Sequence, residues 1–352
     1  MNISCGINGF GRFGLHLLKY WLDRRDAASF DVRYINEDSL SLKAILDIIE
    51  TDPYVQITKV YKVSICGEML TFTSPDGVSN TILYTRQPAH EISWLGQPDL
   101  FLECSGKKLR ARDCIIYLKN KTRHTIISAT SWDADQTLIF GFNHELFNDE
   151  SKTLSYGSCT VNAYIPLAAF LHDEFYIASS DVNVIHNIQA YRLKKKKNYT
   201  LIRKACTLER SAPNLLPFLT RDNFVVNYTV VPYTGCSLID FRFSLKKSKS
   251  IKDVLLKIEE AIIEGPLKYL YSIDDTDRGP EVHKGTSVSA VIIRDKARLI
   301  GNNLYLQCYF DNENSVNRYF DLVNYVSKRK LGLFLPVFNS SEAHIVYLKP
   351  LA

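Results

Sequence analysis

The stretch Asn8-Gly9-Phe10-Gly11-Arg12-Phe13-Gly14 decides the predicted fold, because its three glycines have the spacing Gly-x-Gly-x-x-Gly. A strand-like segment, Ile3 to Ile7, precedes it, and the amphipathic stretch Leu15 to Leu22 follows it. Strand, glycine turn and helix in this order are typical of a dinucleotide-binding βαβ unit, in which the glycines permit close backbone approach and the helix N-terminus faces a pyrophosphate. We therefore predict a nucleotide cofactor at this turn.

An acidic residue follows the second predicted strand, Asp31 to Ile35. The strand ends in Asn36-Glu37-Asp38, which places Glu37 23 residues beyond Gly14. An acid at this distance binds the adenosine ribose hydroxyls and repels a 2′-phosphate, so Glu37 favours NAD over NADP. The alternative interpretation is an ordinary glycine turn followed by solvated acids.

Further strands and helices alternate along the first half of the chain. The apolar strand from Leu100 ends in Cys104-Ser105-Gly106, a helix is predicted over Ala111 to Asn120, and a strand over His124 to Ser128. This alternation predicts an α/β fold with a doubly wound parallel sheet of the Rossmann type, whose ligand lies at the carboxyl ends of the strands.

The second half of the chain has a different pattern. Strands at Asn227 to Val231 and Leu238 to Phe243 alternate in polarity, and a helix is predicted over Ile251 to Glu264. Such strands are typical of an α+β domain on a mostly antiparallel sheet. We predict a nucleotide-binding domain over residues 1–158, a catalytic domain over 159–317, and a third segment, 318–352. That segment contains a helix from Tyr319 to Lys328 and a tail with strands at 334–338 and 343–348.

One cysteine lies at a predicted helix start. Cys159 follows Tyr156-Gly157-Ser158 and precedes the apolar stretch Ala163 to Leu171, and a helix N-terminus favours a thiolate. The strand Asp181 to Ile185 ends in His186, 27 residues after Cys159, a spacing that suits a helix, a turn and a returning strand. A cysteine beside a histidine is the arrangement for covalent catalysis. The alternative is that Cys159 is a buried small hydrophobic residue.

Composition limits the class of protein. A chain of 352 residues with 46% hydrophobic residues is long enough for two cores. Its eight cysteines contain no Cys-x-x-Cys pair, so the sequence predicts no metal site and no disulfide framework, as expected in a reducing cytosol. No apolar run reaches about 18 residues, and we predict a cytoplasmic protein without a membrane segment. The net charge of +5 comes largely from Lys194 to Lys197, which we interpret as a solvated loop and not a nucleic-acid site.

The segment Ser158-Cys159-Thr160-Val161-Asn162, with His186 at its spacing, resembles the active-site segment of phosphorylating glyceraldehyde-3-phosphate dehydrogenases. The glycine turn and Tyr309-Phe310-Asp311-Asn312-Glu313 are similar to motifs of the same family. The resemblance implies NAD as cofactor, an aldehyde as substrate, a thioester on Cys159, His186 as base and a homo-oligomer, either a tetramer or a dimer. Further cofactor contacts that it implies are Ser105, Gly106, Ser128 and Asn312.

The phosphate sites of the family are only partly matched. Ser158, Thr160 and Thr220 correspond to family residues that hold the attacking inorganic phosphate, and Arg221 replaces a glycine beside them. On the substrate side, Gln189 replaces a threonine, and Val230 replaces the arginine that clamps the substrate's own phosphate. The substrate is therefore predicted to differ from the usual triose phosphate.

Three functions agree with these residues. The first is an NAD-dependent aldehyde dehydrogenase acting on another substrate, which the Cys159 and His186 pair favours. The second is a glyceraldehyde-3-phosphate dehydrogenase in which Arg192, Arg221 or a lysine replaces the missing clamp. The third is a binding or regulatory protein on the same scaffold.

Overall fold

The computed structural model of the chain describes residues 2–188, 190–193, 195–247 and 250–333. These residues form two compact units. The first comprises the chain up to Gly157 together with the segment from Val316, and the second comprises Ser158–Ser315. Each unit is built around its own β-sheet.

The sheet of the first unit is mostly parallel, with the strand order β3-β4-β5-β2-β1-β6-β7-β9-β8. Its strands are β1 (Ile3–Asn8), β2 (Phe30–Asn36), β3 (Lys62–Cys66), β4 (Met69–Thr73), β5 (Ser79–Thr85), β6 (Leu100–Glu103), β7 (His124–Ile127), β8 (Gln136–Thr137) and β9 (Thr153–Ser155). The helices are α1 (Arg12–Asp23), α2 (Leu42–Thr51), α3 (Ile57–Val60) and α4 (Ala111–Cys114). Only β3-β4 and β4-β5 pair antiparallel within this order.

Polar side chains join the carboxyl ends of three neighbouring strands in this sheet. The Asn8 amide at the end of β1 donates to Glu103 at the end of β6, at 2.8 Å, and the Asn36 amide at the end of β2 donates to the Asn8 oxygen at 2.9 Å. The Tyr117 hydroxyl also donates to Glu103, at 2.9 Å. These bonds satisfy buried polar groups and hold the edge of the sheet that carries the glycine turn.

The sheet of the second unit is mixed, with the order β11-β12-β10-β13-β17-β15-β14 and with β16 paired to β17. Its strands are β10 (Ile177–His186), β11 (Ile202–Arg203), β12 (Phe224–Val230), β13 (Ser237–Leu245), β14 (Tyr271–Asp274), β15 (Ala290–Ile293), β16 (Arg298–Ile300) and β17 (Asn303–Phe310). The helices are α5 (Cys159–Phe175), α6 (Ala190–Leu193), α7 (Thr207–Leu215), α8 (Ile251–Glu264) and α9 (Asn312–Lys330), the last of which continues into the first unit. Except for β10-β12 and β14-β15, its pairings are antiparallel. The predicted fold class is confirmed.

Helix α5 is almost completely buried and carries the candidate nucleophile as its first residue. Its N-cap is Ser158, whose hydroxyl accepts from the Val161 N–H at 3.4 Å. Pro166 lies within the helix and cannot donate a backbone hydrogen bond. The Tyr271 hydroxyl compensates, because it accepts from the Leu167 N–H at 3.1 Å and donates to the Ala163 carbonyl at 2.9 Å.

Two predicted elements differ from the structure. The helix predicted over Ala111 to Asn120 ends at Cys114 and is followed by a 3-10 turn, Ile115–Tyr117. The turn brings the Tyr117 ring onto Phe101, with centroids 3.8 Å apart, and its hydroxyl to Glu103. The terminal helix begins at Asn312 and not at Tyr319. The predicted helix Ile251 to Glu264 is confirmed.

Some predictions lie outside the described residues. They concern Gln189, Lys194 and the strands at 334–338 and 343–348. None of the helices in the described ranges combines the length and the apolar character that a membrane span requires.

Candidate active site

The glycine turn of the first unit has the geometry of a nucleotide cradle. Gly9 has φ +93°, and a Cβ there would lie 2.3 Å from the Ser105 Cα. A Cβ on Gly14 would lie 2.2 Å from the Gly9 carbonyl oxygen. A Cβ on Gly11 would meet nothing within 4 Å, so the backbone at the start of α1 faces open space. Two glycines are therefore required for packing, and the third leaves room for a ligand at a helix N-terminus.

Glu37 is held against this turn. One carboxylate oxygen accepts from the Phe10 N–H at 2.9 Å, and the other accepts from the Ser39 hydroxyl at 2.6 Å. The neighbouring Asp38 pairs with Lys107, with Nζ to Oδ1 at 2.7 Å. The acid predicted to bind the ribose is thus buried at the turn, where its remaining lone pairs can accept from ribose hydroxyls.

The other predicted cofactor residues of this unit lie at the same edge of the sheet. The Ser105 N–H donates to the Glu103 carboxylate at 2.8 Å, and the Ser128 N–H donates to the Glu103 carbonyl at 2.9 Å. Gly106 follows with φ +66°. Arg12 lies over the Tyr54 ring, and Phe13 packs edge-on against two tyrosines, Tyr156 and Tyr319. A glycine turn with free space, a nearby acid and polar groups at adjacent strand ends fits a dinucleotide.

The second unit brings Cys159 and His186 together. The Cys159 sulfur lies 3.6 Å from His186 Nε2, within hydrogen-bond distance for sulfur. His186 Nδ1 lies 2.9 Å from the Asn187 carbonyl oxygen, which can only accept, so Nδ1 carries the proton in the neutral ring. The free lone pair of the neutral imidazole, on Nε2, therefore faces the thiol.

Both members of the pair are buried, Cys159 with 8% and His186 with 6% of their surface exposed. Burial raises the pKa of Cys159 well above its ordinary value. Burial likewise lowers the pKa of His186. The resting pair is accordingly a neutral thiol beside a neutral imidazole. The thiolate predicted from the helix start is not the resting form, since desolvation outweighs the helix end.

Aromatic rings surround His186. The ring of Tyr228 on β12 lies 5.5 Å from the imidazole, and that of Phe310 on β17 lies 5.6 Å away on an edge-on approach. In the parallel pair β10-β12, His186 is opposite Val230, and Val184 is opposite Tyr228. Opposite residues share a face of the sheet, so Val230 lines the site beside the imidazole. Tyr228 is not among the residues predicted from the sequence, although its position two residues before Val230 could have indicated it.

Hydroxyl groups gather at the N-terminus of α5. The Ser158 hydroxyl lies 3.2 Å from that of Thr160 and 3.0 Å from that of Thr207, the first residue of α7. Thr160 also approaches the sulfur of Cys206, at 3.6 Å. Thr207 and Cys206 lie 47 to 48 residues beyond Cys159 in the chain, and no motif in the sequence indicated either of them.

The predictions for Thr220 and Arg221 are not supported by this geometry. The Thr220 N–H donates to Asn223 at 2.6 Å, and the Asn223 amide donates to the Ala178 carbonyl at 3.1 Å, near the first residues of β10. His186 ends the same strand, roughly 25 Å further on at about 3.3 Å per residue. The turn that follows α7 therefore lies at the opposite end of the helix from the hydroxyl groups.

Asn312 begins α9, one residue after a buried carboxyl group. The Asn187 amide, next to His186, donates to a carboxyl oxygen of Asp311 at 3.0 Å. Burial, with a contribution from Glu313, raises the pKa of Asp311 to about 8. Asn312 is thereby placed near the Cys159–His186 pair by Asn187 and Asp311.

Within the described part of the chain, no group of three His, Cys, Asp or Glu side chains is arranged to hold a metal ion. Of the predicted lysine loop, Lys195, Lys196 and Lys197 are exposed.

Comparison with known proteins agrees with this geometry. The chain is 25% identical to a glyceraldehyde-3-phosphate dehydrogenase from Mycobacterium avium, over 93% of this chain and 99% of the relative. It is 25% identical to one from Priestia megaterium, over 94% of this chain and 100% of the relative, and 26% identical to a cytosolic one from Pisum sativum, over 93% and 98%. No protein-family model matches the chain. The chain is thus similar to glyceraldehyde-3-phosphate dehydrogenases along nearly the whole length of each of these relatives.

Proposed function

We propose that this protein is an NAD-dependent oxidoreductase that oxidises an aldehyde through a thioester on Cys159. The observation that carries the proposal is the 3.6 Å approach of the Cys159 sulfur to His186 Nε2, with His186 Nδ1 committed to the Asn187 carbonyl. This is the geometry of a nucleophile with its base and of a base with its orienting group.

The residues of the second unit account for the proton transfers. His186 Nε2 accepts the thiol proton as the sulfur bonds to the aldehyde carbon, and it returns the proton to the new oxygen, giving a thiohemiacetal. The same nitrogen then accepts the hydroxyl proton as the C–H bond breaks and the carbonyl of the thioester forms. NAD, when bound, accepts the hydride. The backbone N–H groups at the start of α5 can stabilise the developing oxyanion.

The first unit is the proposed NAD-binding domain, and the second the proposed catalytic domain. The residues proposed to hold NAD are Gly9, Phe10, Gly11, Arg12, Phe13, Glu37, Ser105, Gly106, Ser128 and Asn312. The turn supports this proposal, since only Gly11 of its three glycines leaves open space above the backbone.

Release of the thioester is proposed to use inorganic phosphate or water. The Ser158 hydroxyl lies 3.2 Å from that of Thr160 and 3.0 Å from that of Thr207. These hydroxyls offer donors to an anion beside Cys159. By analogy with the family we further propose a cytoplasmic homo-oligomer, either a tetramer or a dimer.

The substrate is proposed to be an aldehyde other than glyceraldehyde 3-phosphate. The supporting observation is Val230, which pairs with His186 and presents an apolar side chain beside the reacting groups. An arginine at such a position would form charge-assisted hydrogen bonds with a phosphate, worth on the order of 1.5–3 kcal/mol. Valine supplies none of these bonds.

A dehydrogenase assay over a panel of aldehydes tests both parts of the proposal. NADH formation would be followed at 340 nm with glyceraldehyde 3-phosphate, glyceraldehyde and aldehydes of other charge, each with and without inorganic phosphate. We expect turnover that is lost in Cys159→Ser, with an aldehyde other than the triose phosphate as best substrate. If glyceraldehyde 3-phosphate exceeded every alternative at an ordinary kcat/KM of about 10⁴ M⁻¹s⁻¹ or more, the interpretation of Val230 would be wrong.

A further inference from the structure

A lysine at the end of β11 reaches the sheet face that carries His186. β11 pairs antiparallel with β12, with Ile202 opposite Val230 and Arg203 opposite Thr229. The Lys204 N–H extends this ladder by donating to the Tyr228 carbonyl at 3.2 Å, so Lys204 lies opposite Tyr228. Because opposite residues share a face and successive residues alternate, the Lys204 side chain leaves on the His186 face and that of Arg203 on the other.

Electrostatics agree with this placement. Burial is the main cause of the lowered pKa of His186, and the Lys204 ammonium adds to it. Lys204 is exposed, and among the residues that the structure describes it takes part in no ion pair. Its charge therefore lies on the sheet face of the reacting groups, and no carboxylate within the described ranges forms an ion pair with it.

Tyr228 lies between Lys204 and the catalytic pair. Its ring is half-buried and contacts His186, with centroids 5.5 Å apart. Burial raises the pKa of Tyr228, and the sulfurs of Cys159 and Cys206 add to the shift. The phenol consequently stays protonated at neutral pH and can donate a hydrogen bond.

We propose that Lys204 and Tyr228 are the specificity-determining residues of this enzyme and that they bind the terminal carboxylate of a short aldehyde acid. The ammonium of Lys204 pairs with the carboxylate, and the Tyr228 hydroxyl donates a hydrogen bond to it. This inference rests on the proposed aldehyde oxidation and names the class of its substrate.

The geometry and the charge both select this class. β10 and β11 are separated by β12, hence by about 10 Å at roughly 4.8 Å per strand, which a lysine side chain spans in part. A ligand that joins this ammonium to the groups beside His186, two strands away, is accordingly a short aldehyde acid. One ammonium and one neutral phenol match the single charge of a carboxylate better than the double charge of a phosphate, for which a planar arginine is the usual partner.

The test compares three aldehydes on the wild-type enzyme and its variants: succinic semialdehyde, butyraldehyde and glyceraldehyde 3-phosphate. They share a short chain and differ in carrying a carboxylate, no charge or a phosphate. We expect the highest kcat/KM for the carboxylate. Lys204→Gln should lower that value by about 10- to 100-fold, the range for a charge-assisted hydrogen bond, and change the butyraldehyde value less than about threefold. Lys204→Arg should restore most of the loss.

Arg203→Gln is the matched control, because it removes the same charge from the adjacent residue on the other face. Tyr228→Phe, which removes only the hydroxyl, should lower kcat/KM for the carboxylate by about fivefold, as expected for a hydrogen bond of about 1 kcal/mol.

A pH profile separates a direct role of Lys204 from a structural one. The groups that face His186 are the Cys159 thiol, the Tyr228 phenol, the Glu313 carboxyl and the Lys204 ammonium. Since the ammonium lowers the pKa of His186, its removal should raise that pKa and move the acid limb of kcat/KM to higher pH. Arg203→Gln should leave the limb in place.

The outcomes distinguish this inference from the proposed function. Aldehyde oxidation without a carboxylate preference, or an equal loss in Lys204→Gln and Arg203→Gln, would overturn the inference and leave the function standing. A preference for glyceraldehyde 3-phosphate that depends on Lys204 would assign the residue to a phosphate and overturn the carboxylate. A wild-type enzyme that oxidises no aldehyde would overturn both.

Discussion

The glycine turn of the first unit and the thiol site of the second differ in how their polar groups are satisfied. Around the turn, Asn8, Asn36 and Glu103 bond to one another, and Glu37 accepts from Phe10 and Ser39. At the thiol site, Cys159 and His186 are buried among aromatic rings. The turn is a satisfied framework, whereas the thiol site keeps two reactive groups desolvated and close together. Fixed geometry is what a cofactor needs, and shifted pKa values are what proton transfer needs.

The largest expected difference between the two regions comes from removing the sulfur of Cys159. Cys159→Ser leaves the turn untouched and replaces the nucleophile, so kcat/KM for the best aldehyde should fall by on the order of 10⁴-fold or more. NAD binding measured by calorimetry should be unchanged. Residual activity within tenfold of the wild type would contradict covalent catalysis by Cys159.

The next effect concerns the thiol–imidazole pair itself. At neutral pH, iodoacetamide should alkylate Cys159 faster than the other buried cysteines, because His186 accepts its proton, and His186→Ala should slow this reaction by about 10- to 100-fold. Cys66 is exposed and serves as a control within the same molecule, since its labelling should not depend on His186. Peptide mass spectrometry measures both rates. Equal slowing at the two cysteines, or faster labelling of another buried cysteine, would count against the pair.

A smaller effect is expected at the turn. Glu37→Gln keeps the shape and one acceptor oxygen but removes the charge that repels a 2′-phosphate, so the preference for NAD over NADP should fall by about tenfold. Calorimetry with both cofactors measures the ratio, and Glu150→Gln, at an exposed position, is the control. Tighter binding of NADP than of NAD by the wild-type protein would refute the assignment of Glu37.

The last effect leaves the chemistry of the two sites aside and concerns stability. Burial and Glu313 raise the pKa of Asp311 from 3.8 to about 8, so the folded protein holds a proton that the unfolded chain releases between these values. Folding thus binds a proton in this window, and the contribution of Asp311 to stability decreases as the pH rises from about 4 to 8. Over three pH units this linkage amounts to at most about 4 kcal/mol, so Asp311→Asn should reduce the loss of Tm between pH 5 and pH 8 by on the order of 10 °C. The exposed Asp222→Asn is the control in the same scanning calorimetry, and an unchanged pH dependence would argue against a buried proton at Asp311.

Local sequence signals predicted the elements whose residues act together within one segment. The Gly-x-Gly-x-x-Gly turn, the strand before it and the helix after it form one βαβ unit, and helix α8 was predicted with its observed bounds. The pairing of Cys159 with His186 was also predicted, because one helix and one returning strand connect them. In each case hydrophobic period and turn chemistry determine the geometry over a short stretch of chain.

The structure differs from the predictions that inferred spatial proximity from position along the chain alone, with no turn or helix pattern to support them. Thr220 and Arg221 follow α7, and the length of that helix carries them away from the thiol, whereas Thr207 at its start lies beside Ser158. The predicted helix from Ala111 ends early because Tyr117 turns inward to Glu103, an acid that comes from another strand.

By itself, then, the sequence determined the two-part α/β and α+β organisation, the glycine turn with its acid, and the pairing of Cys159 with His186. Only the tertiary structure decided which hydroxyls surround the thiol, that Val230, Tyr228 and Lys204 share a sheet face with His186, and that burial leaves the resting thiol neutral. The reason is that strand register and desolvation depend on residues far apart in the chain, while turns and helix starts depend on near neighbours.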